Sequence, residues 1–109
     1  MKIVSWNVNG IRAVHRKGVF IPFLKDLNPD ILCLQETKAE KGQAEIDLQG
    51  YEEFWHSAEK KGYSGTAIFT KTTPVNVLFG LPEDIAKKYG LADDGYGDPN
   101  KEGRIIAMD

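Results

Sequence analysis

The stretch Pro29-Asp30-Ile31-Leu32-Cys33-Leu34-Gln35-Glu36 constrains the fold more than any other part of the chain. Four consecutive apolar residues with no alternation are the mark of a strand inside a sheet covered on both faces, and the polar Gln35-Glu36 that follows marks where it leaves that sheet. Lys2 to Val8 has the same character: Ile3, Val4, Trp6 and Val8 predict a mostly buried strand, and Asn7-Val8-Asn9-Gly10 predicts its exit. Between the two, beyond Gly18, residues Val19, Phe20, Phe23, Leu24 and Leu27 recur at helical spacing, Pro22 is tolerated in the first turn, and Asn28-Pro29 ends the helix. The chain thus opens as β–α–β, which predicts an α/β fold with two parallel strands.

The remainder is read more coarsely. A single helical turn is expected near Ala44 to Leu48, with strands over Tyr51 to Ser57, Thr66 to Thr70 and Val75 to Phe79 and a short helix over Asp84 to Tyr89. Pro74 stands at the entry of the third strand, where a missing N–H is harmless. Leu91 to Gly103, with Gly95, Gly97, Pro99 and Gly103, has no periodicity and reads as loop. Arg104 to Asp109 reads as the opening of another buried strand, and an apolar strand without later partners looks like a truncation.

At 109 residues the chain suits one compact domain or a portion of one. No apolar run is long enough to span a membrane, and the N-terminus is too polar for a signal peptide. A lone cysteine, Cys33, excludes an intrachain disulfide and any zinc site built on paired cysteines, so a cytoplasmic setting is expected. Net charge is −2, but residues 1–25 carry Lys2, Arg12, Arg16, Lys17 and Lys25 without one acid, whereas acids dominate from Glu83 to Glu102. A local basic stretch suits phosphate contact, although solvated mixed charge is the commoner reason for such counts.

If the first two strands are parallel, their carboxyl ends share one sheet edge, where sites in α/β folds gather. Glu36 would offer a hard anionic oxygen there, and Asn7 an amide able to donate and accept. Mg²⁺ suits such a place, since it takes one or two carboxylates and completes its shell with water and phosphate oxygens. The plainer reading makes Glu36 a surface acid and Asn7 a turn former. His15 and His56 are lone histidines, fitting a basic turn and a strand face better than a ligand pair. Trp6, Phe54 and Trp55 suit a core better than a stacking platform, and Cys33 suits an inert hydrophobe.

Ile3 to Ala13 and Pro29 to Lys38 closely resemble the exonuclease III family of abasic-site DNA repair nucleases, and Gly62-Tyr63-Ser64-Gly65-Thr66-Ala67 and Glu102-Gly103-Arg104-Ile105-Ile106 match further blocks in the same order. The resemblance implies a DNase I-like, four-layer α/β sandwich of two sheets, of which residues 1–109 would be the N-terminal portion of a single domain: one sheet with its covering helices. It implies that Glu36 binds a catalytic Mg²⁺ or Mn²⁺, that Asn7 helps order the ion and the scissile phosphate, and that Asn9 has a softer role nearby. Arg12 and Arg104 match positions near the DNA backbone, Tyr63 a tyrosine that meets DNA, and Lys38 a shared lysine that a salt bridge explains equally well. The implied substrate is double-stranded DNA with abasic sites or 3′ ends, and the implied intact protein a monomer. The family's Asp–His pair, Asp-x-Asn element and later tyrosine have no counterpart here, so the chain alone is expected to be inactive. A related phosphodiesterase (an inositol-phosphate phosphatase or a sphingomyelinase) and a non-catalytic half-domain remain alternatives, though Gly10-Ile11-Arg12-Ala13 and the Gly62-to-Gly65 loop favour the DNA repair branch.

Overall fold

A computed structural model describes residues 1–44, 46, 48–91 and 97–109. The first strand, β1 (Ile3–Asn7), is followed by two helices, α1 (Ile11–Arg16) and α2 (Phe20–Leu27), and then by β2 (Ile31–Gln35). β1 and β2 pair in parallel with Ile3 opposite Ile31 and Asn7 opposite Gln35, as the β–α–β reading requires. β3 (Glu52–His56) and β4 (Thr66–Thr70) complete a mixed sheet in the order β1-β2-β4-β3, with β4 antiparallel to both its neighbours. A second sheet, not separately foreseen, pairs β5 (Val77–Phe79) with β6 (Ile106–Met108), and α3 (Glu83–Lys88) lies between them in sequence. Among the described residues no helix is long and apolar enough to cross a membrane.

The core forms where the helices meet one face of the four-stranded sheet. Leu32 and Leu34 of β2 and Ala67 and Phe69 of β4 point to that face and meet Val8, Ile11, Phe20 and Leu24. Burying a side chain such as Phe20 or Phe69 completely contributes roughly 1.5–3 kcal/mol. Trp6 packs against Phe20 and Phe23 with centroids 5.9 and 4.6 Å away, and Trp55 meets Phe69 edge-on at 5.9 Å, so both tryptophans belong to the core. The opposite face is covered only in part, where β6 lies against β3 and β4.

That one-sided covering corrects the reading of β1 and β2. Ile3 is 61% exposed, and Ile31 and Cys33 are half-buried, because all three project from the face that the helices do not cover. Apolar content predicted strands but not which of their faces would be covered. A second difference is α1, a helix where no element was expected. Gly10, at φ 102°, starts it, and the fully buried Ile11 anchors it by donating its N–H to Thr37 O at 2.9 Å. Gly18 (φ 76°) follows it, and Asn28 (φ 48°) closes α2 in the left-handed conformation, its N–H 2.7 Å from Leu24 O. The strands β5 and β6 are shorter than the apolar runs that announced them. Lys41 to Ala44 forms a turn, while Glu45 and Asp47 of the expected helical turn, and residues 92–96 of the expected loop, lie outside the described residues.

Candidate active site at the carboxyl ends of the parallel strands

Parallel pairing brings the ends of β1 and β2 to one edge, and the chain beyond them continues the ladder: Val8 N donates to Gln35 O (3.0 Å), Gly10 N to Glu36 O (2.8 Å) and Ile11 N to Thr37 O. On its other side the segment after β2 is fixed to the loop before β4, through Thr37 N to Gly65 O (3.1 Å) and Lys38 N to Ser64 O (2.7 Å). Clamped between two loops, the backbone takes unusual conformations. Among the described residues the non-glycine positions with positive φ are Asn9, Asn28, Glu36, Lys38 and Ser64, and all but Asn28 sit at this edge. Left-handed conformations of this kind cost of order 1–3 kcal/mol where the surroundings impose them, and they gather at functional sites.

Asn7 Nδ2 donates to Glu36 Oε2, so the two residues singled out in the sequence converge. Asn7 is itself oriented: its Oδ1 accepts from Asn9 N at 3.1 Å, which turns its amide nitrogen toward the carboxylate. Asn9 Oδ1 in turn accepts from Lys38 Nζ at 2.5 Å. Lys38 therefore contacts an amide and not a carboxylate. These groups open into a cleft of about 550 Å³ whose lining includes Asn7, Glu36, Lys38, Tyr63 and Arg104.

The far wall is cationic and aromatic. Arg104 Nη2 donates to Tyr63 Oη at 3.0 Å, its Cζ lies 5.7 Å from the Tyr63 ring centre, and its Nε donates to Glu102 Oε2 at 3.1 Å. Tyr63 Oη donates to Glu102 Oε1 at 3.2 Å, and Lys60 Nζ stands 5.4 Å from the ring centre. The hydrogen bond to Glu102 above all, with that to Tyr63, raises the Arg104 pKa beyond its ordinary value, so the guanidinium stays charged.

Arg12 stands apart from this cleft. Its Nη2 donates to Lys38 O at 2.8 Å, and the side chain lines a smaller basic pocket of about 240 Å³ with His15, Arg16, Gln43 and Ala44. His15 sits in the last turn of α1 beside Arg16, on a helix and not in the basic turn its neighbours suggested. His56 lies on β3 with Nδ1 2.9 Å from Ile105 O, away from the cleft. Burial raises the Cys33 thiol pKa, which fits an unreactive side chain. Glu102 went unread as a site residue. Its sequence signal is its place at the head of the block Glu102-Gly103-Arg104-Ile105-Ile106, where Gly103, at φ 61°, follows it in a turn.

The donors present fit a hard divalent cation. Glu36 supplies a carboxylate held by an amide, and among the described residues no group of three or more His, Cys, Asp or Glu could hold a metal. A hard divalent cation typically takes one or two carboxylates and completes its shell with water and phosphate oxygens, so a single carboxylate suffices for a protein share of this kind.

Comparison with known proteins finds relatives along the whole chain. The profile described as the Endonuclease/Exonuclease/phosphatase family matches residues 4–106. The chain is 43% identical over 109 residues to an exodeoxyribonuclease of Bacillus subtilis (strain 168), covering 100% of this chain and 38% of that protein. To a DNA-(apurinic or apyrimidinic site) endonuclease of Dictyostelium discoideum it is 37% identical over 111 residues, covering 100% of this chain and 27% of that protein. The crystal structure of the Xenopus laevis APE2 catalytic domain superposes with a TM-score of 0.75 at 35% identity, over 97% of this chain and 38% of that one. The chain therefore spans well under half the length of the proteins it matches, and its mixed α/β fold is part of their DNase I-like sandwich. From Val4 to Ile106 its residues follow one family's pattern, and the chain belongs to the endonuclease/exonuclease/phosphatase family.

Proposed function

We propose that the intact protein is a DNA repair nuclease of exonuclease III type, hydrolysing phosphodiesters 5′ to abasic sites in duplex DNA and removing nucleotides or blocking groups from 3′ ends. The observation that carries this reading is the cleft itself, where an amide-held carboxylate, Glu36, faces a cationic wall of Arg104 on Tyr63. A phosphodiester is the substrate class that calls for both. Nucleases of this family are generally divalent-metal dependent, and the names of the exodeoxyribonuclease and the DNA-(apurinic or apyrimidinic site) endonuclease it resembles support DNA as the substrate.

Glu36 would hold Mg²⁺, with Mn²⁺ as a substitute, and Asn7 would keep the carboxylate turned into the cleft and help order the phosphate. When bound, the ion would supply Lewis-acid stabilisation of the charge that grows on the phosphoryl and leaving oxygens. Arg104 and Tyr63 would hold the DNA backbone from the opposite wall, and Arg12 would meet a phosphate farther along it. Contacts of this kind fix position without reading sequence, as a damage-seeking enzyme needs. A cytoplasmic location and a monomeric state complete the proposal.

The test is a duplex with one abasic site, incubated with the full-length protein in Mg²⁺ and in chelator, beside a Glu36→Ala variant. Metal-dependent incision on the 5′ side that vanishes in the variant supports the reading. Turnover of inositol phosphates or sphingomyelin, with DNA left intact, would replace it with the related phosphodiesterases.

A further inference from the structure

An acid lies where it works against DNA binding unless it has another task. Glu102 is bonded to the cationic wall of the cleft, and its carboxylate offsets the charge of Arg104, the residue best placed there to meet a phosphate. On electrostatic grounds alone, such an acid lowers affinity for a polyanion.

Its surroundings are built around it. Each carboxylate oxygen has its own donor, Tyr63 Oη on Oε1 and Arg104 Nε on Oε2, and Arg104 Nη2 closes the ring onto Tyr63 Oη. The carboxylate is enclosed from behind by Gly97, where a Cβ would come 2.7 Å from Oε2. The next residue, Gly103, is fastened to the end of β3 so closely that a Cβ there would lie 2.3 Å from His56 O and 2.6 Å from Ala58 N. Glu102 is thus fixed by backbone on both sides, and its side chain is 24% exposed against 48% for Arg104. A long, flexible arginine and a tyrosine on a glycine-flanked loop are both anchored to one carboxylate, the less exposed partner of the ion pair.

We propose that Glu102 is a positioning residue, which locks the Arg104 guanidinium and the Tyr63 phenol into one rigid unit so that the remaining N–H bonds of Arg104 meet a DNA phosphate without first losing conformational freedom. Two guanidinium N–H groups are spent on the ring, and the rest stay available to a phosphate in the fixed fork geometry. The energetic logic is preorganisation: ordering a rotamer-rich side chain before binding removes that cost from the binding step. The inference rests on the proposed DNA substrate.

The sign of one measurement separates the roles. Binding of a duplex carrying a tetrahydrofuran abasic analogue is followed by fluorescence anisotropy in chelator, using full-length protein, across a range of salt. If Glu102 only offsets charge, Glu102→Ala tightens binding. If it positions Arg104 and Tyr63, Glu102→Ala weakens binding roughly tenfold despite removing an acid, the scale set by hydrogen bonds to a charged group. Glu102→Gln removes the same charge but keeps an acceptor, and it should recover most of that loss. The double variant Glu102→Ala with Arg104→Ala should bind no worse than Arg104→Ala alone, because the carboxylate acts through that guanidinium. Tighter or unchanged binding by Glu102→Ala, or losses that multiply in the double variant, would overturn the proposal. So would a lower melting temperature with unaltered affinity per folded molecule, the signature of a loop brace. Should Glu102→Ala not fold, Glu102→Met, similar in length but without charge or carboxylate acceptor, gives the same cycle with Arg104→Ala. A parent protein that binds no DNA overturns the substrate reading instead, a result distinct from all of these.

Discussion

Thr37 and Gly65 meet so closely that a Cβ on Gly65 would lie 2.5 Å from Thr37 Oγ1, while Thr37 N–H donates to Gly65 O at 3.1 Å. This contact fastens the loop that carries Tyr63 to the end of the strand that carries Glu36. Gly65 is at φ 91°, so a side chain there meets both strain and a clash. Gly65→Ala should destabilise the fold by roughly 1–3 kcal/mol, as overpacking does, and a fall in melting temperature checks it. A variant as stable as the parent would mean the two loops are not held as described.

Thr37 itself is fully buried, and its hydroxyl has no hydrogen-bond partner. An unpaired buried hydroxyl costs free energy that a methyl group of the same shape does not. Thr37→Val is therefore expected to be neutral or to stabilise by about 1 kcal/mol, measured by denaturant midpoint at constant m. A loss of stability would show that the hydroxyl is bonded, for example to a water molecule.

Glu36 sits at φ 51°, a conformation that suits glycine better. Glu36→Gly should therefore raise stability by about 0.5–1 kcal/mol while removing the carboxylate. In the full-length protein the same change, like Glu36→Ala, should abolish Mg²⁺ binding by calorimetry and Mg²⁺-dependent cleavage. Metal binding retained near the parent affinity would count against Glu36 as the metal ligand.

Arg12 and Arg104 should each carry about one charge of the salt dependence of DNA binding, and their replacement should weaken binding evenly across sequences. They should differ in their effect on the protein. Arg12 donates to Lys38 O, so Arg12→Ala should also cost roughly 1 kcal/mol of stability. A changed sequence preference with an unchanged salt slope would contradict both assignments.

Acid should loosen the opposite end of the sheet. Asp30 Oδ2 accepts from Lys2 N at 2.6 Å, and that hydrogen bond chiefly lowers its pKa below the ordinary value of 3.8. A carboxyl with a depressed folded-state pKa gives stability that is present above its unfolded pKa and lost as pH falls through the folded one. Asp30→Asn should therefore lower stability near neutrality and flatten the acid limb, the two proteins converging as pH falls below ~4. An acid limb identical to the parent's would show that the contact contributes nothing.

The 109-residue chain should not cleave an abasic duplex in Mg²⁺ by itself. Phosphodiester hydrolysis needs an activated water as well as a metal and charge stabilisation, and among the described residues the cleft holds no carboxylate besides Glu36 and no histidine to activate it. Cleavage that survives purification from trace nucleases and disappears in Glu36→Ala would place a water-activating group within these residues.

How much of this was legible follows from the range of the signals. β1, α2, β2 and β4 could be read because their apolar residues recur within a few positions. α1 could not: it is short, it lies between Gly10 and Gly18, and only Ile11 and Val14 mark its buried face. The exposure of Ile3 was hidden for a related reason, since an apolar run does not say which face of the sheet will be covered. At the site, Asn7 and Glu36 stood out as polar residues ending apolar strands. Glu102 lies in a glycine-rich stretch without periodicity, and its partner Tyr63 is 39 positions away. Only the resemblance put Tyr63 and Arg104 forward, and only the folded chain brings Glu102 to them.

The pairs that make up the cleft are distant in sequence: Asn7 and Glu36 are separated by 29 positions, Tyr63 and Arg104 by 41. No short peptide cut from this chain can therefore carry either half of the cleft. Any ligand that needs both walls recognises the folded chain and not the unfolded one, so it must stabilise the fold by an amount set by its own affinity. The melting temperature then becomes an assay: a divalent ion or a phosphodiester that fits the cleft announces itself by the heat the protein withstands, even where no bond is cut.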